Sequence, residues 1–577
     1  MATLDRITES LLNSFIEQEQ LQHLKAHEAF EHFAAFSVIA PKLHESLATD
    51  DVAVGHGSTP GIDSLAIVTN GALISSPDEL DELTKSGSSI DVDFYFIQSK
   101  TSGKFEGARM ADFADEVRSF FQSADVHASL QEAKELTTKL LSLGMRLKRN
   151  PTCHMYYVTP GRWNDDPFLQ KKIATSVERL EDTNMFSKVL FTPVGANQLQ
   201  DMYRAAHSKT EVNFTFSSKV TLPKIEGVQQ SYIGVLPGSQ FLQIIRDVDG
   251  DLRRGIFEDN VRDFQGSNNP VNAKIRTSIE TSGDRFSVLN NGVTIVAKAA
   301  TVLGDDFTLE DFQIVNGCQT SNVLFEARES LTDVTIPVRI IVTQDDSIAT
   351  QITDATNSQS QVKTEDLYSL LQFQRKLEAF FATYSEPERL YYERRSQQYR
   401  AISTTPRSRV VTRAQLVKSF ASVFLDEPNR ASRYYSTLYS VLGERLFNDD
   451  HELESYYAAA VALFRSEALF RSGVLKNELK PVRYHLLQAV RHLVSGNKLE
   501  PFNSAAQKRA AASFATLLWN PTHSESIFAA AAKVVVDASD GNELTRDFSK
   551  LATFTKRVAE EAAAARALLQ SESWILT

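Results

Sequence analysis

The sequence predicts an α/β multidomain protein, with a mixed α/β unit first, an α+β unit next and an α-helical unit last. Three observations carry this. A chain of 577 residues is longer than a single core fills. Between residues 60 and 200, short aromatic and β-branched runs alternate with stretches of helical period. From about residue 420 apolar residues recur at helical spacing to the end, punctuated by Pro481, Pro501 and Pro521. The expected limits are 1–215, 220–420 and 421–577.

The elements follow in order. Residues 5–45 read as two helical pieces, and "AFEHFAAFSVIA" is apolar nearly all round, as a buried helix is. "SLAIVTNGALI" places two apolar runs around Asn70-Gly71, a hairpin signal. "VDFYFIQSK" is a third strand. In "FEGARMADFADEVRSFF", Met110, Phe113, Val117 and Phe120 recur at three and four residues, so it is a helix. "HMYYVTPG", a helix, "KVLFTPVGA" and another helix complete an α-β-β-β-α-β-α-β unit. The second unit opens at "VQQSYIGVLPGSQFLQII", with strands in "FSVLNNGVTIVAKAA", "FTLEDFQIVNG" and "VTIPVRIIVTQ".

Composition excludes several classes. Lys and Arg total 61 against 73 Asp and Glu, a net charge of −12, so any nucleic-acid contact must be a local basic groove. No apolar run reaches the roughly 18–20 residues of a membrane span. The N-terminus lacks a secretory core. Two distant cysteines, Cys153 and Cys318, argue against a disulfide framework or a structural zinc and fit a reducing cytoplasm. "GHGSTPG" is no dinucleotide fingerprint, no phosphate-loop lysine pattern appears, and "HEAFEH" misses zinc-protease spacing.

Chemistry concentrates at "DFYFIQSK" and the upstream "GHGSTPGID". Alternation puts Gln98 and Lys100 on one face of a strand. Asp63 sits on the preceding hairpin, where it faces them, and Glu31 lies in the upstream helix. Two carboxylates and an amide oxygen suit a hard cation such as Mg²⁺, and a lysine suits developing phosphate charge. The bland alternative is a solvated strand edge. A second cluster is "YYERRSQQYRAISTTPRSRVVTRAQLVK", where tyrosines interleave with Arg394, Arg395, Arg400, Arg407, Arg409 and Arg413 around Glu393. A phosphate-tracking groove with stacking rings has this composition. Asn290-Asn291-Gly292 and Asn316-Gly317 read as tight turns after strands. Asn291, Asn316, Gln319, Thr320, Asn357 and Gln359 are the expected lining of a polar pocket, since amides and hydroxyls read phosphates and base edges.

"GID", a hairpin, "FYFIQSK" and a helix together resemble the restriction-endonuclease-like fold in its Mrr-like variant, over about residues 25–215. There the strand motif reads Gln-x-Lys. The resemblance implies a Mg²⁺-dependent DNA endonuclease, with Glu31, Asp63 and Gln98 as metal ligands and Lys100 assisting the nucleophile. Glu28 is the substitute for Glu31. "FSVLNNGVTIVA", "DFQIVNGCQTSNVLFEA", "ATNSQSQVKTEDLYSL" and "YYERRSQQY" resemble, in order over residues 230–420, the AIPR family, named for abortive-infection phage resistance. That resemblance implies an antiviral defence protein whose partners are DNA, products of neighbouring defence genes and a second copy of the chain. "IVNGCQT" is similar to the DGQHR and ParB-like motifs but lacks their arginine. The competing expectation is a nucleic-acid-binding or nucleotide-sensing module with an inactive nuclease fold.

Overall fold

The computed structural model describes residues 4–43, 46–54, 61–77, 79–81, 90–144, 147–207, 210–246, 250, 252–257, 270–357, 364–394, 398–399, 405–431, 438, 445–569 and 572–576. The N-terminal region starts with α1 (Arg6–Glu19), capped by Asp5 Oδ1, which accepts from the Ile7 and Thr8 amides. The apolar α2 (Ala26–Ile39) follows. Strands β1 (Ser64–Thr69) and β2 (Ala72–Ile74) form the expected hairpin, with Asn70 and Gly71 both at positive φ, 52° and 82°. Then come β3 (Val92–Ser99), α3 (Gly107–Gln122), α4 (Gln131–Ser142), β4 (Thr152–Val158), α5 (Pro167–Glu181), β5 (Lys188–Val194) and α6 (Ala196–His207). Helix α4 is an element the sequence reading lacked. Its buried apolar side is only Leu136 and Leu140, too thin a stripe to stand out.

The sheet order is β2-β1-β3-β4-β5. Pairing is antiparallel among β1, β2 and β3 and parallel from β3 to β4 to β5. Tyr95, Ile97, Tyr156 and Val158 face a core with α1, α2 and α6. Phe94, Phe96, Met155 and Tyr157 face the other core, with α3, α4 and α5. Helices therefore cover both faces, and the carboxyl ends of the parallel strands remain as the open edge.

The second sheet contains β6 (Glu211–Thr215), β7 (Ser218–Thr221), β8 (Gln230–Pro237), β9 (Val293–Leu303), β10 (Asp306–Asn316) and β11 (Thr335–Val342), in the order β6-β10-β9-β11-β8-β7. Residues 211–215, placed by sequence in the first unit, pair with β10 and lie in this sheet. Helices α7 (Gly238–Ile245), α8 (Pro270–Ser282) and α9 (Cys318–Glu326) pack on it, and α10 (Asp346–Asn357) follows. The third core joins α11 (Thr364–Phe381), α12 (Arg413–Phe424), α13 (Glu454–Arg471), α14 (Arg483–Ser495), α15 (Ala505–Trp519), α16 (Pro521–Ser539) and α17 (Ala552–Leu568). It already includes Phe373, Leu377 and Phe381, well before residue 421.

Each buried apolar cluster draws its residues from one of these three regions. What crosses between the first and the helical region is polar. Glu19–Arg407 (3.7 Å), Asp51–Arg483 (3.8 Å), Glu79–Lys418 (3.7 Å) and Glu132–Arg546 (3.9 Å) are ion pairs with the acid always on the N-terminal side. Among the described residues no helix is long and apolar enough to cross a membrane.

Candidate active site at the end of the first sheet

Strand β3 ends by donating the Lys100 amide to Val158 O (2.8 Å), so Lys100 leaves the sheet beside β4. Asp63 is fixed just before β1, its amide donating to Ile97 O (2.9 Å). Its Oδ2 accepts from the Ser99 amide (2.7 Å) and Ser99 Oγ (3.2 Å), which pin the carboxylate against the end of β3. Glu31 comes from α2, on the opposite face of the sheet, and reaches the same end. Asp63 and Lys100 are the two charges that act on it most strongly. The four candidates therefore divide between two layers and one strand end, and three of them form an electrostatic unit.

Burial, and then the Asp63 charge, push the Glu31 carboxyl up from 4.5 to about 7, against the pull of Lys100. Burial raises Asp63 as well, opposed by Lys100, the Ser99 hydrogen bonds and His27. Two half-buried carboxylates thus share one lysine. Gln98, 5% exposed, adds a buried Oε1 with no hydrogen-bond partner. Its Nε2 lies 3.8 Å from where a Cβ on Gly61 would sit, and Gly61 holds φ +83°. That Cβ would also lie 2.9 Å from Glu116 Cγ, so any other residue at position 61 crowds Glu116 and meets Gln98 at ordinary contact distance. Glu28, the alternative to Glu31, is spent elsewhere: its Oε2 accepts from the Lys25 amide (2.8 Å) at the start of α2.

Among the described residues, no three His, Cys, Asp or Glu side chains gather as a metal would require of them alone. A Mg²⁺ ion needs fewer, since it keeps several waters and takes one or two carboxylates. Glu31, Asp63 and the unpartnered Gln98 oxygen fit that pattern. The "GHGSTP" stretch lies outside the described residues.

The loop ends around the site are tightly packed. A Cβ on Gly161, after β4, would lie 2.0 Å from Gly103 O, after β3. The Ala196 amide, after β5, donates to Gly161 O (2.8 Å). Three consecutive strand ends are thereby tied through backbone.

Sequence reasoning missed three neighbours. Ser99 holds Asp63. His27 acts on Asp63 and stands four residues before Glu31, a same-face spacing that was visible. Tyr157 is the register partner of Gln98 on β4, and Asp63 is among the charges acting on it.

The basic segment departs from the expected groove. Arg394 Nε bonds Glu378 Oε2 (2.8 Å). Arg407 faces Glu19 and lies over the Phe36 ring at 4.3 Å. Arg409 meets Glu386 (3.1 Å), donates to Arg389 O (2.9 Å), and covers the Phe464 and Trp519 rings. These three side chains are only 10%, 13% and 13% exposed, so their guanidinium groups are internal ties. Arg413 opens α12, half-buried and with partners of its own. Arg395 and Arg400 lie outside the described residues.

The amide pocket is partly assembled. Asn316, opposite Thr294 in the register, donates Nδ2 to Thr356 O (2.6 Å), next to Asn357 at the end of α10. Gln319 sits in the first turn of α9, after Gly317 at φ 97°. Asn290–Gly292 joins a short helix, Phe286–Leu289, to β9; it is not a turn after a strand, and Asn291 is exposed. The Asn357 side chain and all of Gln359 lie outside the described residues.

The family model described as AIPR protein matches residues 257–528, which supports the AIPR resemblance. The match runs from the second sheet through the helical core into α16, further than the 230–420 stretch that carries the sequence motifs. No curated protein and no solved structure matches the chain.

Proposed function

We propose that this chain is an anti-phage defence protein whose N-terminal region is a Mg²⁺-dependent DNA endonuclease. The AIPR match suggests the defence role. The nuclease reading rests on one observation: Glu31 and Asp63 share a single lysine, Lys100, beside the unpartnered Gln98 oxygen. Such a site carries more negative charge than its own cation balances. Glu31, Asp63 and Gln98 would hold the ion. When bound, Mg²⁺ would supply water activation and charge neutralisation at the phosphate. Ser99 fixes the Asp63 carboxylate, and Lys100 would offset charge developing on the phosphate oxygens.

A second reading is an inactive nuclease fold that binds nucleic acid or a nucleotide. It is favoured by the neutral amide at Gln98 and by the absence, among the described residues, of three His, Cys, Asp or Glu side chains gathered as a metal would need. Plasmid cleavage with and without Mg²⁺, beside a Lys100→Ala variant, separates the two. Cleavage that needs both Mg²⁺ and Lys100 supports the enzyme. Wild-type protein that leaves the plasmid intact in Mg²⁺ supports the inactive fold.

A further inference from the structure

Next to the carboxylates lies a group that the metal chemistry does not use. Tyr157 is 1% exposed, yet its hydroxyl makes no hydrogen bond with any described residue. In register with Gln98 on the adjacent parallel strand, Tyr157 shares its face of the sheet. Its ring packs by Phe105 (6.2 Å) and Phe113 (6.4 Å), so it lies against the beginning of α3. The charges acting on its hydroxyl are Glu106, Arg109 and Asp63, which span the start of α3 and the metal-site carboxylate.

The start of that helix is open as well. Helix α3 has 16 residues and no side chain caps its first turn, because the Glu106 carboxylate does not turn back onto it. Uncapped amides and the helix dipole together favour an anion. Gly107 leaves room for Lys172, whose Cδ would lie 3.0 Å from a Cβ there. Lys104, Arg109 and Lys172 make no ion pair among the described residues, in a chain of net charge −12. Of these cations, Arg109, in the first turn of α3, is the one that acts on the Tyr157 hydroxyl.

We propose that Tyr157 and Arg109, at the start of α3, form a subsite for one phosphate of a DNA backbone, beside the two carboxylates. Tyr157 donates its hydroxyl to a non-bridging oxygen, Arg109 supplies charge, and the first-turn amides of α3 complete the cradle. Burial pushes the phenol up to about 12, so at neutral pH it is a donor. Glu106, exposed at the N-cap, sets a limit on how closely the anion approaches. The subsite deepens the nuclease reading and rests on it only for the identity of the phosphate as a substrate's.

The test uses the full chain and a fluorescein-labelled 20-base-pair duplex, read by anisotropy in Ca²⁺ across a salt series. Tyr157→Phe keeps the ring and loses no internal bond, so its melting temperature should match wild type. Its duplex affinity should fall three- to tenfold with an unchanged salt slope. Arg109→Ala should fall by a similar factor and lower the log–log slope by about one. Mn²⁺ binding by calorimetry should be unaffected in both and lost in Asp63→Ala. Wild-type affinity in both variants, or no duplex binding by the wild type, overturns the subsite. A lowered melting temperature in Tyr157→Phe with unchanged affinity overturns it too and makes Tyr157 structural. If duplex binding depends on Tyr157 and Arg109 while Mg²⁺ gives no cleavage, the subsite stands and the nuclease reading falls.

Discussion

The end of β3 and the stretch from Arg394 to Arg409 both gather cations and acids, and they differ in how the charges are matched. In the second region each described arginine has its own acid: Arg394 with Glu378, Arg407 with Glu19 and Arg409 with Glu386. In the first, Glu31 and Asp63 both depend on Lys100. The contrast survives a coincidence. Glu19 and Glu31 are both pushed to about 7, each chiefly by burial. After burial, though, the largest influence on Glu19 is the opposing charge of Arg407, whereas on Glu31 it is the like charge of Asp63. An arginine-rich sequence is therefore weaker evidence for a ligand than a small site left out of balance.

The comparison breaks first at the end of β3. Asp63→Ala and Lys100→Ala should each lower Mg²⁺-dependent plasmid cleavage at least about a hundredfold, the scale of losing one transition-state charge contact. Their far-ultraviolet circular dichroism should stay that of wild type. Retained cleavage in both removes the asymmetry between the regions.

Arg407→Ala should behave oppositely, as a stability defect. Removing one partner of a buried pair costs about 3–5 kcal/mol when the other stays charged. Glu19 can take up a proton near pH 7, so about 2 kcal/mol is expected at neutral pH. Denaturant midpoints measure it, and the salt slope of duplex binding should not change. A lowered slope with unchanged stability would return Arg407 to a nucleic-acid groove.

Gln98 sharpens the first region. Gln98→Glu should lower half-saturating Mg²⁺ several-fold, and Gln98→Ala should raise it, because the ion prefers carboxylate oxygens. Equal midpoints in a Mg²⁺ titration of cleavage for all three proteins would mean that Gln98 is no ligand.

The smallest effect is in pH dependence. Glu31 binds its proton more tightly folded than unfolded, so its contribution to stability is full below about 4.5 and is lost as pH rises through about 7. Glu31→Gln should flatten the melting-temperature profile across that window and leave the protein slightly more stable at pH 8. Divalent-cation affinity in wild type should rise through the same window, since the ion competes with the proton. An unchanged profile in the variant would mean Glu31 is not perturbed.

Much of this architecture was readable residue by residue. Asn70-Gly71 announced the hairpin because few pairs tolerate two positive φ values. The helical spacing of Met110, Phe113, Val117 and Phe120 is the buried stripe of α3. That Asp63 and Lys100 act on one another was anticipated by a short motif, but Ser99 was hidden because its shorter bond to Asp63 is made by a backbone amide. Tyr157 was invisible for a different reason: parallel register between β3 and β4 is set across 59 residues of chain (98 to 157), and no local pattern encodes it. The arginines misled because their acids lie on distant elements: Glu19 is far from Arg407 in sequence and close only in space.

The polarity of the contacts between the first and helical regions has a calorimetric consequence. With no apolar cluster shared, the regions are joined by acids on one side and bases on the other. The more exposed of these pairs, Asp51–Arg483 and Glu132–Arg546, weaken with ionic strength, whereas the cores they join do not. Heating the protein in dilute buffer should then give overlapping heat-absorption peaks, and added salt should pull them apart. The order in which the peaks separate would tell which part of the chain borrows its thermal resistance from the other.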